Sequence, residues 1–419
     1  MKNRRIVITG LGALSALGEG AEPLWQAALA GRSGIGTIHF ENGNYKTVGA
    51  RMADFEPEKF ITQRKAIKVM ARDIQMAVAG AALALSDAGL KELTGSERER
   101  TGVIVGSGIL NHDLDELAAS IAASLDENRR LDLKRFGESG IFSLFPLWLL
   151  KYLPNMPACQ ISILFHLEGP NNSLTTGSSA SLAAVGEAAR IIERGAADVM
   201  LAGGSESKVN PVGISHYEIL GSLSTLNGGD PTRVYRPLDA SAAGFVVGEG
   251  SAFLVLEELE HARRRGAKIY AELVGVGNSS ETGRDTAMRA ALEEANVKAE
   301  QIDLLQATGV GRSDEDVMEL EAIVRVFGNS KNLSVTAQKA IMGFTGFAAG
   351  AMDLVLSTLA LRNGTIPPTL NFERTKKEMV LSVVKGSPLK KKIQYAMTNA
   401  LGLGAPSVSV VTKCIDASS

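Results

Sequence analysis

Cysteine is scarce in this 419-residue chain, which contains only Cys159 and Cys414. Two cysteines provide neither a disulfide framework nor a cysteine-rich metal cluster. We therefore expect a reduced, cytoplasmic protein that binds no metal. Cys159 lies in an apolar segment, so we expect it to be a small buried residue and not a nucleophile.

The chain also lacks a charge excess and a long apolar run. Its 44 basic and 46 acidic side chains give a formal net charge of −2, which does not favour an electrostatic nucleic-acid binder. No stretch approaches the roughly 20 apolar residues of a membrane-spanning helix, and residues 1–5 do not resemble a signal peptide. We expect neither a nucleic acid nor a membrane as a partner.

Short apolar segments, typical of buried strands, follow the same order in two halves of the chain. They are residues 6–9, 102–106, 198–202 and 252–256, then residues 271–277, 303–307, 395–398 and 408–411. Their alternation with helical stretches indicates a mostly parallel sheet covered by helices. The repeated order predicts a duplicated α/β fold of five layers, αβαβα, with pseudo-symmetric halves at residues 1–257 and 258–419.

Two independent dinucleotide-binding domains are the alternative interpretation of this pattern. Gly10 and Gly12 are expected to form a turn after the first strand, but Ser15 stands where the dinucleotide fingerprint has its third glycine. No acidic residue follows at the spacing that a ribose requires. We therefore expect no nicotinamide cofactor.

A run of small residues before a helix is the candidate reactive site. Residues 175–181 read Thr-Thr-Gly-Ser-Ser-Ala-Ser, and apolar residues at helical spacing predict a helix over residues 181–194. A cysteine at this helix start would be activated by the dipole, whereas Ser178 needs a general base. Without the context of a family, a run of small polar residues before a helix is more often a capped helix start than a nucleophile site.

Several motifs in order make nearly the whole chain resemble the β-ketoacyl synthases. They lie at residues 7–12, 169–181, 197–204, 236–239 and 244–250. The resemblance implies the thiolase-like version of the predicted fold. It also implies that acyl chains reach the protein on the phosphopantetheine of an acyl carrier protein, with no cofactor bound to the chain itself.

The three catalytic positions of that family differ in this sequence. Ser178 replaces the nucleophilic cysteine, Thr308 the first histidine and Phe344 the second. Neither a threonine nor a phenylalanine can replace a protonatable imidazole. Lys339, Asp316 and Glu319 are retained motif residues, so the resemblance implies a degenerate triad on a kept scaffold.

Two further motifs of the family are altered. The threonines that would contact the phosphopantetheine arm are Val310 and Arg312 here, and Leu403 stands in the late glycine-rich loop where the family has an aromatic gate. These changes lead us to expect a protein that is not catalytic alone.

The resulting hypothesis is a chain-length-factor-like (ketosynthase β) subunit of type II polyketide or polyene biosynthesis. Such a subunit would pair with an active ketosynthase, receive chains from an acyl carrier protein, and shape the chain tunnel at the heterodimer interface. The predicted tunnel or interface residues are Ile109, Leu110, Phe142, Phe145, Trp148 and Leu403.

Two catalytic alternatives stay open at this point. The chain could be an acyltransferase or hydrolase that uses Ser178, with Lys339 or a histidine brought near by the fold as its base. It could also be a malonyl decarboxylase, although that chemistry depends on the missing histidines.

Overall fold

The computed structural model describes most of the chain. The described residues are 4–40, 45–110, 112–225, 228–280, 284–328, 330, 332–377, 379, 381–402 and 406–415. Leu403, one of the predicted tunnel residues, lies outside them. Within these ranges, no helix is both long enough and apolar enough to cross a membrane.

The elements alternate between strands and helices along the chain. The strands of the described residues are β1 (Ile6–Ser15), β2 (Gly18–Glu19), β3 (Gly36–His39), β4 (Lys46–Gly49), β5 (Thr101–Gly106), β6 (Asn171–Leu174), β7 (Val199–Ser207), β8 (Glu249–Glu258), β9 (Ala271–Ser279), β10 (Leu304–Gln306), β11 (Ser334–Thr336), β12 (Thr365–Ile366), β13 (Ser382–Val383), β14 (Leu389–Lys390), β15 (Tyr395–Leu401) and β16 (Ser407–Lys413). The helices are α1 (Ala21–Ala30), α2 (Arg64–Ile67), α3 (Arg72–Asp87), α4 (Ser96–Glu99), α5 (Leu114–Ala123), α6 (Leu133–Glu138), α7 (Met156–Phe165), α8 (Ala180–Glu193), α9 (Pro211–Ile219), α10 (Leu259–Arg264), α11 (Asp285–Ala295), α12 (Ser313–Phe327), α13 (Lys339–Met342) and α14 (Ala349–Asn363). Short 3₁₀ turns include Gly140–Ser143, Trp148–Lys151, Gly177–Ser179 and Gly346–Ala348.

The two halves repeat one strand order. The main sheet runs β13-β11-β10-β15-β16-β9-β1-β8-β7-β5-β6, with β2 beside β1. Each half contributes five corresponding strands, β1, β5, β6, β7 and β8 in the first half and β9, β10, β11, β15 and β16 in the second. Counted along the chain, these five lie in the order third, second, fourth, fifth, first. In both halves the second strand pairs in parallel with the third and the fourth, and the remaining pairings are antiparallel. The halves meet where β1 pairs with β9.

Helices form three layers around these strands. α3 and α7 cover the outer face of the first half, and α11 and α12 cover the outer face of the second. α8 and α14 pack against each other between the halves. Every residue of α14 from Ala349 to Leu361 is buried, as expected of a helix in the central layer of the fold. The duplicated five-layered α/β fold predicted from the sequence is confirmed.

The predicted turn at Gly10 and Gly12 is wrong, because both residues lie inside β1. A Cβ on Gly12 would lie 2.2 Å from the carbonyl oxygen of Gly80, and one on Gly10 would lie 2.4 Å from that of Ala84. The two glycines therefore let the backbone of α3 pack directly on the strand.

Candidate active site

A left-handed glycine places Ser178 at the start of the central helix α8. After β6 the chain passes through Gly177, whose φ of +65° is in the region that favours glycine. It then makes the turn Gly177–Ser179 and enters α8. Ser178 is 7% exposed, and its hydroxyl donates a 2.5 Å hydrogen bond to the carbonyl oxygen of Leu401 at the end of β15.

The surroundings of Ser178 favour negative charge but supply no base from the described residues. The free N–H groups and dipole at the start of α8 stabilise an anion. A carbonyl oxygen such as that of Leu401 accepts a hydrogen bond and does not take a proton. All five histidines lie among the described residues, and none forms a hydrogen bond or ring contact with Ser178 there. His112 contacts the rings of Trp148 and Tyr152, and His261 lies 2.6 Å from Glu257.

Thr308 lies on a loop that Glu319 holds in place. The carboxylate of Glu319, on α12, accepts the backbone N–H groups of Thr308 at 2.8 Å and Gly309 at 2.9 Å. The hydroxyl of Thr308 is buried and has no hydrogen-bond partner among the described residues. A buried hydroxyl without a partner is a donor that a bound ligand can satisfy.

Asp316 anchors the other end of this loop. Its carboxylate accepts the N–H of Gly311 at 3.0 Å and that of Leu238 at 2.7 Å. Burial raises the pKa of the Asp316 carboxyl to about 7, although these N–H groups act in the opposite direction. The structure thus assigns Asp316 and Glu319 to positioning of the loop, not to contact with Ser178.

Lys339 is committed to a buried ion pair. Its ammonium lies 2.5 Å from the carboxylate of Asp353 on α14, and both side chains are at most 1% exposed. Gln306 donates to the other carboxylate oxygen at 3.2 Å. Burial raises the pKa of the Asp353 carboxyl to about 6, with Lys339 opposing the shift. Among the described contacts Lys339 binds Asp353, so it is not the base that the acyltransferase alternative requires.

Phe344 fills its position with an apolar ring. It is 3% exposed, and its ring centre lies 4.7 Å from that of Phe245. Val310 belongs to the same buried cluster. Both positions are therefore buried and apolar.

The predicted tunnel residues divide into two groups. Ile109, Phe142 and Phe145 are 78%, 82% and 51% exposed. Leu110 is buried, and half-buried Trp148 packs with it in the core of the first half. Leu110 and Trp148 thus pack against the core of the first half, and the assignment of these residues to a tunnel or an interface stays a prediction.

The sequence interpretation missed a cluster next to the turn Gly177–Ser179 that carries Ser178, here called the elbow. Phe347 donates its backbone N–H to Glu206 at 3.0 Å, and Glu206 lies 3.2 Å from the ammonium of Lys208. Lys208 also lies 4.7 Å from the ring centre of Phe347. Two opposite charges at the carboxyl end of the apolar strand β7, where α/β proteins commonly form sites, are the signal that could have revealed it.

The described residues contain no group of three or more histidine, cysteine or carboxylate side chains suited to a metal ion. The buried carboxylates of Asp316 and Glu319 bind backbone N–H groups, and that of Asp353 binds Lys339.

Two family models match the chain. The model for the N-terminal domain of β-ketoacyl synthases matches residues 3–262, and the model for their C-terminal domain matches residues 267–373. The predicted division into residues 1–257 and 258–419 is close to this pair of matches and stays a prediction.

Full-length relatives and solved structures agree with the family models. A 3-oxoacyl-[acyl-carrier-protein] synthase 2 of Vibrio harveyi is 35% identical, over 99% of this chain and 100% of the relative. The same enzyme of Coxiella burnetii is 35% identical over 98% and 99%. A β-ketoacyl synthase structure from Burkholderia phymatum has a TM-score of 0.86 at 28% identity, covering 99% of this chain and 100% of that one. The ishigamide ketosynthase/chain length factor has a TM-score of 0.83 at 27% identity with the same coverage.

These relatives contradict the prediction of a noncatalytic chain-length-factor-like subunit. The proteins that match at 31% to 35% identity along the full chain are named synthases. The prediction depended on the altered side chains at Ser178, Thr308 and Phe344. Altered side chains on a complete scaffold do not by themselves distinguish a chain-length-factor-like subunit from a synthase.

Proposed function

The chain belongs to the β-ketoacyl synthase family, and from this premise we propose that it is an acyl-carrier-protein-dependent transferase of the 3-oxoacyl synthase type. The family acts on acyl chains carried on the phosphopantetheine of acyl carrier protein. We assign to the chain the transfer of fatty-acid-type acyl groups from the carrier protein, with Ser178 as the residue that receives the acyl group. The elbow carries this proposal, because Gly177 and α8 hold Ser178 in an anion-stabilising position.

The loading step follows from this geometry. The Ser178 oxygen attacks the thioester carbonyl carbon, so that a C–O bond forms and the C–S bond breaks. The hydroxyl proton passes to the departing thiolate, which leaves as the pantetheine thiol. The positive end of α8 stabilises the negative charge that develops on the carbonyl oxygen. The Ser178 hydroxyl must first leave the carbonyl of Leu401, and loading without an imidazole base is slow.

Thr308 supplies a second element of the proposed site. Its buried hydroxyl has no partner in the described part of the chain, so it is free to donate to a bound thioester. Glu319 fixes the loop that carries it. The Thr308 hydroxyl can donate a hydrogen bond, as an imidazole can. Unlike an imidazole, it cannot act as a general base or acid near neutral pH.

We further propose that a second ketosynthase-type subunit covers an apolar surface of the first half, with an active ketosynthase as the expected partner. The surface, here called the apolar patch, consists of Ile109, Leu114, Ile121, Leu131, Leu133, Ile141, Phe142, Phe145, Leu147 and Leu149, each at least 43% exposed. α5, α6 and the turn Gly140–Ser143 pack together, so many of these side chains share one region. Contiguous exposed apolar surface is typical of a protein–protein contact.

Intact-protein mass spectrometry after incubation with acyl-loaded carrier protein tests the proposal. We expect the chain to gain the mass of one acyl group, and Ser178→Ala to gain none. Ser178→Cys is expected to load at least tenfold faster, since a helix N-terminus activates a thiol but not a hydroxyl.

Ser179→Ala is the matched control. Its hydroxyl donates to the carbonyl of Thr176 at 2.7 Å, one residue away from the proposed nucleophile. The control is expected to load like the natural chain. Acylation that persists in Ser178→Ala, or a failure of both the natural chain and Ser178→Cys to load, would refute the proposal.

A further inference from the structure

The turn Gly346–Ala348 lies directly beside the elbow. It precedes α14 as the turn Gly177–Ser179 precedes α8, and the two turns pack against each other. The starts of the two helices are joined by a 3.0 Å hydrogen bond from the N–H of Ala351 to the hydroxyl of Ser181. A side chain on the second turn is therefore placed to wall the space next to Ser178.

The backbone of this turn is fixed by Glu206. Gly346 has a φ of +46°, and a Cβ there would lie 1.9 Å from a carboxylate oxygen of Glu206. The next residue, Phe347, donates its N–H to the same carboxylate at 3.0 Å. Only glycine fits at position 346. The backbone conformation of Gly346 therefore sets the direction in which the Phe347 side chain leaves the turn.

The ring of Phe347 extends from the turn to Gly108. A Cβ on Gly108 would lie 1.8 Å from the tip of that ring, so the ring occupies the space that any other residue would use for its side chain. Gly108 directly precedes Ile109 and Leu110, two of the residues for which the sequence predicted a tunnel wall. The ring thus lies between that segment and the elbow.

A charge pair, of which Glu206 is buried and Lys208 is partly buried, backs the ring. Lys208 lies 4.7 Å from the ring centre of Phe347, and its side chain is 15% exposed. Its partner Glu206 is 2% exposed at the side chain and 3.2 Å away. An ammonium over an aromatic face stabilises the ring in this orientation. A hydrocarbon chain that displaced the ring would have to pack against the ion pair of Lys208 and Glu206. Removing the polar surroundings of these two charges costs free energy.

Two cavities among the described residues lie elsewhere. One of about 760 Å³ is lined by segments that include Arg72, His112 and Tyr152, and another of about 680 Å³ lies near β4 and Glu218. Neither has Ser178, Thr308 or Phe344 in its wall.

We propose that Phe347, held by Glu206 and Lys208, closes the acyl channel beside Ser178, so that the site takes only short acyl groups. This inference rests on the proposed function and specifies its substrate class. A short acyl group needs only the space at the elbow, whereas each further methylene of a longer chain would have to displace the ring.

Isothermal titration calorimetry with S-acyl-pantetheine esters, from acetyl to decanoyl, tests the closure. For the natural chain we expect an affinity that barely changes with acyl length. For Phe347→Ala we expect affinity to rise about threefold to fourfold for each added methylene, because the chain then enters the vacated apolar space. Lys208→Met keeps the size of the side chain and removes its charge. For this variant we expect the affinity to rise with acyl length, but less steeply than in Phe347→Ala.

Phe372→Ala is the matched control. Phe372 is a partly buried phenylalanine that packs on the core of the second half, so its removal is expected to leave the length dependence flat. A natural chain that already binds longer esters more tightly would overturn the closure. The closure would also be overturned if the esters still bind to Phe347→Ala and Lys208→Met but the affinity of neither variant changes with acyl length. If no ester of any length binds to any variant, the proposed function fails together with the closure.

Discussion

Replacing a thiol by a hydroxyl at a helix N-terminus changes the acid strength of a nucleophile and leaves its position unchanged. The dipole brings a thiol into the range where it ionises near neutral pH, whereas a serine depends on a base. In this chain Ser178 keeps the position, and the carbonyl of Leu401 accepts its hydrogen bond. The Ser178 hydroxyl is therefore expected to lower the rate of the proposed acyl loading without changing where loading occurs.

Asp73 provides a pH-dependent prediction at the same scale. It is 4% exposed on α3, and it accepts the N–H of Ser207 at 2.7 Å. Burial raises the pKa of its carboxyl from 3.8 to about 7, against the opposing effect of Ser207. Between these two values the folded chain holds a proton that the unfolded chain has released. The free energy of unfolding therefore falls as pH rises through this window.

Asp73→Asn is expected to remove this dependence. The amide oxygen still accepts the N–H of Ser207, and the side chain no longer titrates. Denaturant unfolding at pH 5 and pH 8 measures how much the free energy of unfolding falls between these two pH values. We expect this fall to be smaller in Asp73→Asn than in the natural chain, by roughly 1 kcal/mol or more. Asp54→Asn, at an exposed carboxylate, is expected to keep the full decrease. Equal decreases in the natural chain and Asp73→Asn would contradict the prediction.

At the scale of elements, the contact between α3 and β1 depends on glycine. A Cβ on Gly12 would lie 2.2 Å from the backbone oxygen of Gly80, and backbone cannot move aside as a flexible side chain can. We expect Gly12→Ala to lower the free energy of unfolding by roughly 1–3 kcal/mol, as overpacking does. Chemical denaturation followed by circular dichroism measures the change.

Gly36→Ala is the control for this prediction. Gly36 lies on β3, and a Cβ added there would have no other atom within 4 Å. Alanine at this position is expected to leave stability unchanged or raise it by up to ~1 kcal/mol. Equal effects of the two substitutions would show that the close contact between helix and strand does not limit stability.

Local pattern predicted the elements better than the contacts between them. The helix expected over residues 181–194 is α8 (Ala180–Glu193), because apolar spacing and small residues at its start are local signals. β1 is ten residues long where four were expected, since its glycines suggested a turn. The hydrogen bond between Phe347 and Glu206 joins residues 141 positions apart, and no local pattern predicts such a contact.

At the scale of the whole molecule, duplication brings two equivalent turns together. The same strand order in both halves places the turn before α8 against the turn before α14. Ser178 is the middle residue of the first turn and Phe347 the middle residue of the second. One half therefore supplies the proposed acyl-accepting residue, and the equivalent position of the other half supplies the ring that we propose closes the channel.

The apolar patch leads to a prediction about assembly. Phe142 is 82% exposed in the chain, so a charge placed there should not disturb the fold. In an interface the same charge would be buried without a partner. We expect Phe142→Asp to weaken association with the second subunit at least a hundredfold, from the lost apolar contact and the added desolvation cost. Native mass spectrometry of the chain, alone and mixed with an active ketosynthase, measures this association.

Leu389→Asp is the matched control, because Leu389 is a 40% exposed apolar residue on β14, outside the apolar patch. It is expected to assemble like the natural chain. A complex that forms only in the mixture identifies the active ketosynthase as the occupant of the apolar patch, whereas a complex of the chain with itself identifies a second copy. A chain that stays monomeric under both conditions, or a complex that Phe142→Asp leaves intact, would show that the apolar patch does not bind a second subunit. Acyl loading of the dissociated variant would also show whether one chain is sufficient for the first step.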